Sequence, residues 1–185
     1  TLLLSRNEGV NKDCNVLVIA DPQVELLQHE LTALKAYLKQ GGHLFVLVNP
    51  FTSLVGLTSL LKDVGIVVGN NIIVDKLSRI IGGGYLMPVA TKYGSHPITA
   101  NFTTATFYPT ARSVSIMKGK DVRTNWNLTI LAQTGKESWA ETDRKLLEAG
   151  KATFDKGKDI KGPVSLAAVS EATPQGMIKL TGKLR

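Results

Sequence analysis

Continuous apolar runs alternate with leucine-striped segments over the first part of the chain. The runs at 15–20 (NVLVIA) and 43–48 (HLFVLV) are rich in branched side chains, as is typical of strands buried on both faces. Between them, leucines at spacings of four, three and four residues predict one apolar stripe on a helix. These leucines are Leu27, Leu31, Leu34 and Leu38. Asp21 and Pro22 fit the start of that helix.

The glycine pair Gly41-Gly42 follows this helix and precedes a strand. A phosphate-binding loop has the opposite order, because the helix N-terminal amides must face the phosphate. The pair therefore predicts a helix C-terminus and a tight turn into the next strand, since glycine readily adopts the left-handed conformation at that position.

The same alternation then repeats. Thr52 or Ser53 is expected to cap a second helix with an apolar face from Leu54 to Val64, which Gly65 ends. Short strands follow at 66–68 (IVV) and 72–75 (IIVD). Strands that alternate with helices predict an α/β fold, a three-layer sandwich around a mostly parallel sheet, with additional short strands in the C-terminal half. Residues 1–185 are expected to form this one domain.

After residue 75, the alternation of apolar runs with leucine-striped segments ends. The glycines at 82–84 lack the Lys-Ser/Thr of a phosphate loop and predict a flexible loop. Residues 85–90 (YLMPVA) predict an edge strand, 96–102 a short helix, and 138–161 a polar loop with one helical turn. Further strands are predicted at the segments RSVSIM, NLTILAQT, VSLAAVS and, finally, MIKLTGKLR.

Charge and composition narrow the classes of function. The net charge is +7, and residues 76–128 hold seven basic side chains against one acidic side chain. The basic residues are not interleaved with aromatic ones, and no nucleic-acid-binding motif occurs, so we expect no nucleic-acid partner. No apolar run approaches the roughly 18 residues needed to cross a bilayer. The single cysteine, Cys14, excludes an internal disulfide.

Four polar residues are candidates for ligand binding. Asp21, Asn49 and Asp75 follow predicted strands, where ligands bind in open α/β sheets; alternatively, each caps the next helix or turn. His96 lies in the turn sequence GSHPIT, and its alternative is a histidine hydrogen-bonded to backbone. No nucleophile elbow occurs, and three scattered histidines with one cysteine do not fit a zinc site, so we expect no catalytic residue, metal or cofactor.

The segment 15–50 resembles the signature of the ABC-type transport-system auxiliary family, which includes the gliding-motility auxiliary component. The shared features are Pro22, Glu30-Leu31, Tyr37-Leu38, Gly41-Gly42 and Asn49-Pro50. Further segments match in order up to about Ala172: LLKDVGIVVGNNIIVD, HPITANF, FYPTARSV, ESWAETD and KGPVSLAAV.

The resemblance implies a non-catalytic extracytoplasmic domain on the periplasmic side, anchored by membrane segments absent from this chain. Its implied partners are the permease and ATP-binding subunits of an ABC transporter. We expect the domain to bind such a partner subunit, an envelope polymer or a small solute. The implied fold is similar to the flavodoxin-like sandwich of class I glutamine amidotransferases, a relation shared with an intraflagellar-transport domain. Family members continue with a further strand near the point where this chain ends, so we expect a fragment of a longer protein.

Two alternative functions remain at this point. A hydrolase-like enzyme would need His96 or another base beside a nucleophile such as Ser95 or Cys14. A pure assembly scaffold would have no ligand pocket of roughly 300 Å³ or more at the strand ends.

Overall fold

The computed structural model of the chain describes Leu4 and residues 9–118 and 126–172. The helices in these ranges are Gln28–Lys39 (α1), Val55–Asp63 (α2), Lys76–Ile80 (α3) and Arg144–Glu148 (α4). The strands of the first half are Val16–Ala20 (β1), His43–Leu47 (β2), Ile66–Val68 (β3), Ile72–Asp75 (β4), Val89–Ala90 (β5) and Lys92–Tyr93 (β6). Those of the second half are Thr106–Phe107 (β7), Val114–Ile116 (β8), Trp126–Gln133 (β9), Ser138–Glu141 (β10), Ile160–Lys161 (β11) and Ser165–Ala172 (β12).

The strands form several small sheets in which neighbours are mostly antiparallel. β1 and β2 are parallel, with Val16 opposite His43 and Ala20 opposite Leu47. β4 and β11 flank β10, and β6 and β12 flank β9; all four of these pairs are antiparallel. β3 pairs with β8, and β5 with β7, again antiparallel.

The predicted three-layer, mostly parallel sandwich is therefore wrong. Among the described strands, β1–β2 is the one parallel pair; β3 and β4, which were expected to extend it, pair instead with strands from the second half. An apolar run predicts a strand but does not specify its neighbour or their relative direction. The runs at β1 and β2 also have one exposed face each, so they are not buried on both sides.

Two clusters of buried apolar side chains form the core against which these sheets pack. The first lies between α1, α2 and the inner face of β1 and β2 and consists of Leu34, Leu54, Leu57, Leu60, Leu61 and Ile66. The second lies among strands β4, β5, β9, β10 and β12 and consists of Ile73, Ala90, Ala132, Ala140, Val164 and Leu166. The leucine stripes of α1 and α2 thus face the core, as their spacing predicted, except for Leu27, which precedes α1 and is 55% exposed.

The helix starts differ from those predicted. α1 begins only at Gln28, and the Glu30 carboxylate accepts a hydrogen bond from the Leu27 amide at 2.8 Å. α2 begins at Val55, where the carboxylate of Glu25 accepts from the Gly56 amide at 3.2 Å. Asp21, Thr52 and Ser53 do not cap these helices, because the N-cap positions are occupied by Leu27 and Leu54.

The helix ends agree with the prediction. Gly41 has φ of +89°, and its amide and that of Gly42 donate to the carbonyls of Leu38 and Tyr37. This is the Schellman arrangement, in which a left-handed residue lets the chain reverse onto the last helical turn. Gly65 ends α2 in the same conformation, with φ of +86°.

Several expectations for the segments after residue 75 need correction. Residues 96–102 form turns rather than a helix, and the strand expected at 85–90 is reduced to β5. The polar segment 138–161 contains the fully buried strand β10, the helix α4 and the strand β11. The strands β8, β9 and β12 and the loop at 82–84 are confirmed. The predicted strand MIKLTGKLR lies outside the described residues.

Substituting Gly42→Ala is expected to destabilise the chain by about 1–3 kcal/mol, the usual range for overpacking. A methyl group there would overlap the buried ring of Tyr37, whose hydroxyl donates to the Cys14 carbonyl at 3.1 Å. Urea denaturation measures the change. Gly135→Ala is the control: a Cβ at that position meets no atom within 4 Å, and its effect should stay within about 0.5 kcal/mol. Equal losses of unfolding free energy in the two variants would contradict the packing of Tyr37 on Gly42.

Candidate functional site

Asp21 and Asn49 lie together at the carboxyl end of the parallel pair β1–β2. The Asp21 amide donates to the Leu47 carbonyl at 2.9 Å and extends the pairing by one residue, with Asp21 in a left-handed conformation (φ +46°). The half-buried Asn49 accepts a hydrogen bond from the Phe51 amide at 2.9 Å through Oδ1 and so shapes the loop 49–52. The carboxylate of Asp21 is exposed to solvent.

Asp75 fixes the backbone of two neighbouring elements through its carboxylate. It is fully buried at the end of β4, and its two carboxylate oxygens accept hydrogen bonds from the amides of Leu77 at 2.9 Å and Val89 at 3.0 Å. The first bond caps α3, and the second ties the start of β5 to β4. The interpretation of Asp75 as a helix cap therefore agrees with its contacts.

His96 lies near the end of β12 in the described structure. Its side chain is 9% exposed; Nδ1 accepts from the Ile98 amide at 3.2 Å, and Nε2 lies 3.3 Å from Glu171 Oε2. The distance allows an ion pair, but the alignment is too poor for a hydrogen bond, and Nε2 makes none with a described residue. No hydrogen bond or ion pair among the described residues joins His96 or Asp75 to Asp21 or Asn49.

Sequence reasoning missed Arg112, which precedes β8 and holds the loop 49–52 in place. Its side chain is 7% exposed. Nε donates to the Gly69 carbonyl at 2.6 Å, and Nη1 donates to the carbonyls of Asn49 at 3.0 Å and Thr52 at 3.2 Å. The only available signal was its position inside the segment FYPTARSV, where it was one of several basic residues.

A second guanidinium lies at the same loop. Arg144, the exposed first residue of α4, stacks on the Phe51 ring with its Cζ 5.1 Å from the ring centroid. Burial, and then the positive charge of Arg144, lower the pKa of Arg112. Both guanidinium groups therefore contact the loop 49–52, and we call Arg112, Arg144 and this loop the arginine site.

The described residues around Cys14 do not form a nucleophile–base pair. The Cys14 thiol donates to the Val16 carbonyl at 3.5 Å, and the Tyr37 hydroxyl lies 3.9 Å from its sulfur. Burial, and then the contact with Cys14, raise the pKa of Tyr37. Within the described ranges, no group of three or more His, Cys, Asp and Glu side chains is placed to hold a metal ion.

Two further surface features bear on function. An open depression of about 650 Å³ lies on α1 and is lined by Gln28, His29, Thr32, Ala33 and Ala36, none of which is a candidate residue. No helix of the part that the structure describes combines the length and the hydrophobicity needed to cross a bilayer.

A solved structure shares the fold of this chain in part. The mmIFT52 N-terminal domain is 19% identical to this chain, with a TM-score of 0.55. The likeness covers 67% of this chain and 57% of that one, so this chain corresponds to less than two thirds of the other. It concerns the fold alone and agrees with the relation to an intraflagellar-transport domain that the resemblance implied. No curated protein matches the chain.

The family comparison covers almost the whole sequence. The family model ABC_transp_aux, described as an ABC-type uncharacterized transport system, matches residues 1–179. The resemblance found in the segment 15–50 is thereby confirmed at the level of the family. The chain therefore belongs to the ABC_transp_aux family.

Proposed function

We propose that the chain is a non-catalytic, extracytoplasmic interaction domain that binds the permease subunit of its ABC transporter. In this proposal, membrane segments outside the chain anchor it on the periplasmic side. The family match supports the transport role. The exposed apolar face of the parallel pair β1–β2 carries the interaction role.

This apolar face consists of alternate residues of the two strands. The register places Val16, Val18 and Ala20 beside His43, Phe45 and Leu47, and we call these six residues the outer face. Val16, Val18, Phe45 and Leu47 are 53%, 55%, 54% and 48% exposed. The alternate positions Leu17, Ile19, Leu44 and Val46 pack on the helical core instead. Single exposed apolar residues are ordinary, but a contiguous apolar face usually marks an interaction site.

The chemistry of the outer face indicates what binds it. His43 is its only ionisable side chain, so the partner must present an apolar surface rather than a charged one. Exposed apolar side chains continue into the loops that follow the two strands, at Val24, Leu27 and Phe51. An ATP-binding subunit lies in the cytoplasm, beyond the reach of an extracytoplasmic domain, whereas a permease presents apolar segments at the membrane surface. These considerations favour the permease.

The contacts of the candidate residues also support a role without catalysis. His96 directs Nδ1 to a backbone amide and Nε2 towards Glu171, and Cys14 directs its thiol to a backbone carbonyl. A general base must lie within hydrogen-bond reach of the nucleophile that it activates. Asp21 and Asn49 remain candidates for contacting a small solute or envelope polymer, because they lie on loops at a strand end.

Co-purification of the full-length protein with its permease and ATP-binding subunits tests the proposal. Phe45→Ser is expected to reduce recovery of the permease by about tenfold, since removing a buried aromatic anchor from an interface usually costs 1–3 kcal/mol or more. Ile160→Ser is the matched control: Ile160 is 49% exposed on β11, away from the outer face, and its substitution should leave recovery unchanged.

Two results would contradict this assignment. Full permease recovery with Phe45→Ser would exclude the outer face as the docking surface. A change in self-association with unaltered permease recovery would identify the face as a contact between copies of the chain. Circular dichroism of both variants checks that each remains folded.

A further inference from the structure

Arg112 is a buried cation without an acidic partner among the described residues. Its guanidinium is held by three backbone carbonyls, and no described carboxylate lies within the 4.0 Å of an ion pair. Burying a charge is costly unless it is paired, and carbonyl dipoles compensate for this only in part. Its Nη2 group has no hydrogen-bond acceptor in the described parts of the chain.

Arg144 brings a second positive charge to the same loop, again without an acidic partner that the structure describes. The acidic residues next to it in sequence are already engaged. Asp143 accepts from the amides of Lys145 and Leu146, and Glu141 accepts from the Trp139 indole and the Asp143 amide. Two like charges held near each other at a partly desolvated loop repel, and an anion between them would remove that repulsion.

We propose that the arginine site binds an oxyanion, a phosphate or a carboxylate group, between Arg112 and Arg144. A guanidinium presents planar, fixed donors that match both oxyanions. Arg112 supplies a guanidinium preorganised by Gly69, Asn49 and Thr52, so little ordering is needed when the ligand binds. Arg144 supplies a second, exposed guanidinium at the same loop, stacked on the half-exposed Phe51 ring. The two guanidinium donors of this site, Arg112 and Arg144, lie outside the outer face, although Phe51 borders both surfaces.

Isothermal titration calorimetry of the purified chain tests the site with sodium phosphate and sodium succinate at an ionic strength fixed with sodium chloride. Saturable binding of either anion is expected, and the tighter one identifies the oxyanion. Arg144→Gln should weaken binding about tenfold, the usual effect of losing one charge-assisted hydrogen bond. Arg112→Lys should weaken it as well, because lysine keeps the charge but lacks the planar donors.

Arg79→Gln is the matched control for Arg144→Gln. Arg79 is also exposed and stacks on an aromatic ring, with its Cζ 5.0 Å from the centroid of Tyr85, but it lies on α3. Its substitution should leave the affinity unchanged. Equal weakening by Arg79→Gln and Arg144→Gln would show general charge attraction and overturn the site, as would no saturable binding of either anion. If the Arg112→Lys variant is unfolded, the comparison of anion affinity between Arg144→Gln and Arg79→Gln still tests the site.

Discussion

Substituting Leu57→Ala is expected to lower the free energy of unfolding by about 3–5 kcal/mol, as in other fully buried leucines. Leu57 lies in α2, is 0% exposed and packs in the first apolar cluster with Leu34 and Leu60. Truncation removes apolar contact area and leaves a cavity, because helices packed on a sheet close the gap only partly. Urea denaturation followed by circular dichroism measures the loss.

The control for this substitution is Val55→Ala in the same helix. Val55 is 71% exposed, so its truncation should change the free energy of unfolding by no more than about 0.5 kcal/mol. Similar losses for the two variants would mean that α2 does not direct the Leu57 face to the core. That outcome would contradict the fold at its main cluster.

Substituting Asp75→Ala is expected to lower the free energy of unfolding by about 2–4 kcal/mol, as the sum of two effects. Loss of the cap on α3 contributes about 0.5–2 kcal/mol. The buried Val89 amide, 3.0 Å from the second carboxylate oxygen, loses its acceptor, and an unsatisfied buried donor costs about 1–3 kcal/mol. Thermal and urea unfolding of the purified chain measure the change.

Asp143→Ala separates these two effects. Asp143 also caps a short helix, with Oδ1 2.9 Å from the Lys145 amide, but it is exposed and holds no second element. The Asp143→Ala substitution should lower the free energy of unfolding by about 0.5–1 kcal/mol, the usual contribution of a surface cap. A loss for Asp75→Ala no larger than this would show that the bond to Val89 contributes nothing.

Local features of the chain were predictable from its sequence. The stripes of α1 and α2 follow from the spacing of leucines, and their ends follow from Gly41 and Gly65, since these signals act within one or two helical turns. The cap formed by Asp75 was among the expected alternatives for the same reason. The start of α2 was wrong because the carboxylate that accepts from its Gly56 amide belongs to Glu25, 31 residues earlier in the chain.

Long-range features were not predictable. Strand β4 pairs with β10, more than 60 residues later, and nothing in either apolar segment specifies that partner or its direction. The arginine site was missed for a similar reason. Arg112 reaches carbonyls 43 to 63 residues away, and Arg144 joins it only through the packing of α4 near Phe51. In the sequence, both are ordinary members of a basic composition.

Photocrosslinking from position 45 in the assembled transporter tests the interaction role most directly. A photoreactive phenylalanine analogue replaces Phe45 in the full-length protein, and the same analogue at Ile160 is the control. We expect a crosslink to the permease subunit from position 45 and none from position 160. Equal permease crosslinking from both positions, or none from position 45 in a transporter that still assembles, would contradict docking through the outer face.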